Sequence, residues 1–267
     1  METIDESAER AWLRTLPKTE IHVHLEGAIP LDALWRIMQK YGGDPDVPDP
    51  GALQARFQFK DFPHFIRTWM WKTGFLRDYD DFTLIGEAVA REFVRQNIAY
   101  VEAFFTPLDH EDRGLEPGRL VQALRAGLSR TSGVEVRLVA DLGRDFDPRR
   151  GGRLLEQLAE IGTAEVLGIG LGGSEQTFPP EPFAGVFERA RELGFRTTAH
   201  AGEAAGAGSV RAAVEVLRAE RIGHGTRAVE VPAVVDLLAR RKVPVECCPI
   251  SNVRTAVIRR IEDHPFR

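Results

Sequence analysis

Cysteine is almost missing from this 267-residue chain: Cys247 and Cys248 are the only two, and they are adjacent. Neighbours on a strand face opposite ways, so the pair builds neither a disulfide framework nor a CxxC metal knuckle, and a reducing compartment fits. Lysine is scarce, with only Lys18, Lys40, Lys60, Lys72 and Lys242 among 35 basic residues. The net charge is -5, so there is no basic surplus to recruit nucleic acid or an anionic membrane. No apolar run reaches the ~18 residues of a membrane helix. The start, Met1-Glu2-Thr3-Ile4-Asp5-Glu6, is acidic and lacks the apolar centre of a secretory signal. These absences point to a soluble, cytoplasmic protein whose partner is a small molecule. What is present is a globular balance, 43% apolar and 28% charged, enough for a sizeable core. A single α/β barrel of ~250 residues fits the length.

Residues 5–16 read as a short helix ending before Pro17, and 20–26 as the first strand. A helix follows Pro30, with Leu31, Leu34, Ile37 and Met38 at helical spacing. The turn-rich stretch 42–51 interrupts it. An aromatic stretch over 57–82 then reads as part of a helical insertion, roughly 42–80, between strands one and two. Most of its rings are expected in the core, a few in a lid over the strand ends. From there helices and strands alternate. Helices over 81–96, 117–131, 150–160, 181–193, 208–218 and 231–241 precede strands over 98–105, 134–141, 164–171, 195–200, 220–224 and 243–248. Most of the strands are near-continuous apolar runs, as a parallel sheet buried on both faces requires. The expected fold is α/β, a TIM-like (β/α)8 barrel forming one domain over 1–267, with seven strands visible and the eighth missing. An open barrel exposes strand edges and its inner core. Residues beyond Arg267 are therefore expected to supply that strand.

The polar residues cluster at the carboxyl ends of these strands. His22 and His24 sit one residue apart in Thr19-Glu20-Ile21-His22-Val23-His24-Leu25-Glu26-Gly27, so on a strand both face one side. His200 ends strand five, in His200-Ala201-Gly202-Glu203, and His224 ends strand six. This rim is where barrels build active sites. His64, His110 and His264 lie off the strands and read as solvated or local. Three neutral imidazoles, His22, His24 and His200, suit one zinc with a position open for water, whose pKa then falls towards ~7. Glu203 is placed to carry a proton over that water or a substrate. As an ordinary helix-capping acid it fits less well, because Gly202 and the Ala/Gly-rich run behind it free the backbone for close approach. His224 is either a fourth ligand or the group that orients the water, the second being preferred. Gly173, in the turn after strand four, lets a flat ligand lie against bare backbone, though a tight turn alone needs the same residue.

The pieces HVHLEGAI, HAGE, GHGT and CPISN, in that order, resemble the adenosine deaminase family of metal-dependent amidohydrolases. The likeness runs from Pro17 to Asn252. It implies a (β/α)8 barrel with one zinc and hydrolysis of the 6-amino group of a purine. It implies His22, His24 and His200 as ligands and Glu203 as the acid protonating the ring nitrogen beside the attacked carbon. His224 would orient the water, and Gly173 would hydrogen-bond the purine. Three departures stand out. Glu26 occupies the place of an Asp that contacts the ribose in adenosine enzymes; relatives with Glu there include adenine and aminodeoxyfutalosine deaminases. The turn 170–175 lacks the Asp residues of the adenosine type. The Thr-Asp-Asp segment carrying a further metal ligand does not follow Cys248. The substrate is thus expected to be adenosine or a close analogue, with adenine or aminodeoxyfutalosine as alternatives.

Binuclear amidohydrolases use a bridging lysine near strand four, and no lysine lies between 73 and 241. Phosphoesterases with an H-x-H start need further ligands that cannot be assembled here. A catalytically impaired barrel that only binds a purine is the remaining rival.

Overall fold

The computed structural model describes residues 6–266; the first residue of the helix expected over 5–16 lies outside them. The chain opens with α1 (Glu6–Thr15) and β1 (Lys18–His24). Four helices follow before the next strand: α2 (Leu31–Lys40), α3 (Pro50–Arg56), α4 (Phe62–Thr73) and α5 (Tyr79–Arg95). Strands and helices then alternate through β2 (Ile98–Phe105), α6 (Pro117–Leu128), β3 (Glu135–Asp141), α7 (Pro148–Ile161), β4 (Val166–Gly170), α8 (Ala184–Glu192), β5 (Arg196–Ala201), α9 (Ala207–Glu215), β6 (Arg221–His224), α10 (Pro232–Arg241), β7 (Val245–Glu246) and α11 (Pro249–Arg254).

All seven strands are parallel, in the order β1 to β7. No ladder joins β7 to β1 among the described residues, yet His22 on β1 reaches Glu246 on β7 across the gap at 2.6 Å. The sheet has curled into a nearly closed barrel. Its helices start where the sequence puts caps. Asp49 accepts the Ala52 N–H of α3 and Asp61 the His64 N–H of α4, each helix with Pro in the first turn. Asp78 and Asp81 close a reciprocal capping box on α5. The apolar faces pack inward: α2 buries Ala33, Leu34, Ile37 and Met38, and α5 buries Phe82, Ile85, Val89, Ala90 and Phe93. No described helix is long and apolar enough to cross a membrane.

The differences from the sequence reading are local. β1 ends at His24 because Ala28 N–H donates back to His24 O at 2.9 Å, folding residues 25–27 into a turn. Leu25 and Glu26 therefore sit past the strand. β7 is only two residues long: Val243 is still tied to the end of α10 through Leu238 O, and Cys248 already caps α11. The segment over 42–51 contains the start of α3. Of the aromatic rings, Phe62, Phe75 and Phe82 are core, whereas Trp69 of α4 lies over His24, ring centres 5.6 Å apart.

Candidate active site

β1, β5 and β6 deliver four histidines to one rim. The ring centre of His22 lies 4.6 Å from that of His200 and 4.8 Å from that of His224. The Nε2 atoms of His24 and His200 are 3.0 Å apart. One nitrogen from each of His22, His24 and His200 falls within 4.8 Å of the others, a spacing that fits one metal ion. Burial, followed by the neighbouring imidazoles, lowers the pKa of His22 and His200 well below the usual value; burial lowers His24 as well. The three are neutral at pH 7, with lone pairs available. Gly223 makes the crowding possible: a Cβ there would stand 2.6 Å from His22 Cε1.

Two of the four histidines, His22 and His224, are held from behind, whereas the buried Nδ1 atoms of His24 and His200 have no hydrogen-bond partner among the described residues. His22 Nδ1 bonds to Glu246 Oε2 at 2.6 Å, which leaves its buried Nε2 with no protein partner among the described residues and free for an ion. Glu246 takes Arg221 at 2.7 Å, Arg221 takes Glu102 at 2.5 Å, and Tyr100 donates to Glu102 at 2.9 Å. His224 has φ 65, an uncommon conformation for a side chain of its size. Its Nδ1 bonds to Asn252 Oδ1 at 2.7 Å, and Asn252 in turn donates to Thr226 and His264. The other nitrogen of His224 faces Glu203 at 3.4 Å. Glu203 is 6% exposed, and burial pushes its pKa up despite the opposing pull of His224. It does not cap the following turn. Glu175 does, accepting N–H from Gly202, Glu203, Ala204 and Ala205 at 2.6 to 3.0 Å. Buried Arg144 donates to His200 O at 2.6 Å. Gly173 lies in the turn after β4 with φ 104, a conformation open to glycine.

Glu26 sits apart, beside α4. It is 1% exposed, and Oε1 accepts Thr106 N–H at 2.9 Å. Burial pushes its pKa up, but the neighbouring His110 and the Thr106 N–H outweigh that and hold it below the usual value. His110 lies 3.9 Å from Oε1. The expectation that His110 and His264 are solvated or local is corrected. His110 is fully buried against Phe82, and His264 is buried on Asn252. Both lie outside strands, where periodicity carries no sign of burial. Glu246 and Asn252 were also missed as supports. Their only sequence signal is an acid inside an apolar strand and an Asn in the CPISN segment. Cys248 is a further neighbour, its sulfur close to His22 and His224.

A nearly closed parallel barrel with its polar groups at the carboxyl ends is a TIM-like barrel, and three imidazoles from two of its strands that could share one metal ion match the amidohydrolase type. The adenosine deaminase family profile matches residues 17–267. An adenine deaminase of Streptomyces coelicolor is 36% identical over 257 residues, 95% of this chain and 75% of that protein. An aminodeoxyfutalosine deaminase of Acidothermus cellulolyticus is 32% identical over 264 residues, 95% of this chain and 74% of that one. Among solved structures, an adenine deaminase from Arthrobacter aurescens superimposes with TM-score 0.87 at 30% identity, covering 93% of this chain and 77% of its own. A zinc-containing amidohydrolase from Burkhoderia ambifaria does so at 0.84 and 26%, covering 96% and 71%. The chain belongs to the adenosine deaminase family, whose members are hydrolases of aminopurine C–N bonds.

Proposed function

We propose that this chain hydrolyses the 6-amino group of a 6-aminopurine to release ammonia, using one zinc held by His22, His24 and His200. The observation that carries the reading is the convergence of three neutral buried imidazoles beside a glutamate whose pKa burial raises. The donor set, three nitrogens with His22 Nε2 otherwise unpartnered, fits zinc with a position left for water. Bound there, the metal supplies the Lewis acidity that makes water acidic enough to attack at neutral pH.

The chain's own groups do the rest. Glu203 gives its proton to the ring nitrogen beside the attacked carbon, which draws electrons away from that carbon. His224, its Nδ1 fixed by Asn252, turns Nε2 towards the attacking water and orients it. Gly173 offers backbone to the purine ring. Glu26 reads the N9 end of the substrate. The zinc-loaded enzyme, offered adenosine, deoxyadenosine, adenine and aminodeoxyfutalosine, should release ammonia with at least one. His200→Ala should lose its zinc. Unchanged metal stoichiometry in that variant would sink the ligand assignment.

A further inference from the structure

Lys72 is the one lysine this reading leaves without a task in the interior. It projects from α4 and is 4% exposed. A buried ammonium is expensive unless paired and hydrogen-bonded. The contrast is Lys40, which takes both Asp78 and Asp81. Lys72 has no hydrogen bond or ion pair among the described residues. Its Nζ lies over the Trp69 ring, 4.2 Å from the centre. Trp69 in turn packs on His24 and donates to Asp109 at 2.9 Å.

Two polar atoms nearby are buried with no hydrogen-bond partner among the described residues, Glu26 Oε2 and His110 Nε2. Arg113 donates to His110 Nδ1 at 2.9 Å, so Nε2 carries the hydrogen and is a donor. The two donors, Lys72 and His110, and the one acceptor, Glu26, are all more than nine-tenths buried. The local charge is already negative: Lys72 feels both Glu26 and Asp109. An anionic tail, phosphate or carboxylate, would face two carboxylates and one ammonium. A neutral edge with one donor and one acceptor fits better.

We propose that Lys72 is a specificity-determining residue, and that with Glu26 it reads the N3/N9–H edge of an unsubstituted 6-aminopurine, so that the substrate is the free base. The ring N9–H donates to Glu26 Oε2, and Lys72 donates to the neighbouring ring nitrogen. A sugar at N9 removes the donor and leaves the buried carboxylate oxygen without a partner, which such sites reject strongly. This rests on the deaminase reading and adds the substrate class.

The test uses the zinc-loaded enzyme with adenine, adenosine and adenosine 5'-monophosphate, and hypoxanthine as a non-reacting probe. Wild type should favour adenine over adenosine by about 10³-fold or more in kcat/KM. Lys72→Met should raise KM for adenine and Kd for hypoxanthine about 10- to 100-fold. It should leave kcat and zinc content nearly unchanged, and Lys72→Arg should restore part of the affinity. A merely structural lysine would not split KM from kcat in this way. If adenine turns over but Lys72→Met binds hypoxanthine like wild type, the Lys72 assignment is overturned while the deaminase reading stands. Preference for adenosine or its monophosphate overturns the free-base assignment. If no 6-aminopurine turns over, the deaminase reading itself falls, and this one with it.

Discussion

The two ends of the site are built differently. At the histidine end, three of the proposed reactive groups have second residues behind them: Glu246 behind His22, Asn252 behind His224, and Glu175 under the turn that carries Glu203. At the other end, Glu26 Oε2 and His110 Nε2 are buried with no hydrogen-bond partner among the described residues, and Lys72 Nζ lies over the Trp69 ring; the histidine end has such atoms at His22 Nε2 and at the Nδ1 of His24 and of His200, on rings whose other nitrogens meet each other. The difference teaches where each end finds its complement. The chemistry needs groups fixed in advance, because fixed dipoles act on the transition state without reorganising. Recognition needs groups left unsatisfied, because their pairing with substrate is what discriminates.

The sharpest test of the histidine end is Glu203→Gln. It keeps size but cannot give up a carboxyl proton, so kcat should fall about 10²- to 10⁴-fold with zinc retained. Near-normal turnover would reduce Glu203 to a structural residue. The same acid sets a pH dependence. Burial raises its pKa, and the proposed step uses its protonated form, so kcat should decline as pH rises through that pKa.

Next is Glu246→Gln, which tests whether support from behind matters. Weaker orientation of His22 should cut zinc affinity by about 10- to 100-fold, read by competition with a chelator. Affinity equal to wild type would show that the buttress is incidental.

At the recognition end the prediction has the opposite sign. Burial lowers the Lys72 pKa from 10.5 to about 8. Between those values the unfolded chain holds the extra proton, so stability should rise with pH across that window. At pH 7 the charged lysine opposes folding. Lys72→Met should therefore stabilise the protein by about 1–3 kcal/mol in thermal unfolding and flatten the alkaline rise. A destabilised variant would mean that Lys72 is paired after all.

The smallest expected effect is Glu26→Asp. Retracting the carboxylate by one methylene should move the nucleoside-to-base ratio in kcat/KM by up to about tenfold, while kcat on the better substrate changes little. A ratio that does not move would take Glu26 out of substrate reading.

Most of the strands and helices, and the histidines at the strand ends, are legible along the chain, whereas the short β7 and the early end of β1 are not. The legible ones follow from local rules: alternation with period two puts His22 and His24 on one side, and the apolar run before His200 and before His224 marks a strand whose end faces the rim. The sequence by itself also exposed Glu203, because a glycine turn after a strand is a local feature. Only the tertiary structure decided the partners. His22 and Glu246 are 224 residues apart, Arg221 and Glu102 are 119 apart, and Glu175 lies 28 from Glu203. Nothing in the spacing of such residues along the chain encodes their meeting. It arises when the sheet curls and brings its first and last strands within reach. The burial of Lys72 and His110 is of the same kind: α4 and the turn after β2 close over them only once the barrel is assembled. Burial, not residue type, is what turns His110, which reads as solvated or local in the sequence, into a polar group closed in beside Glu26.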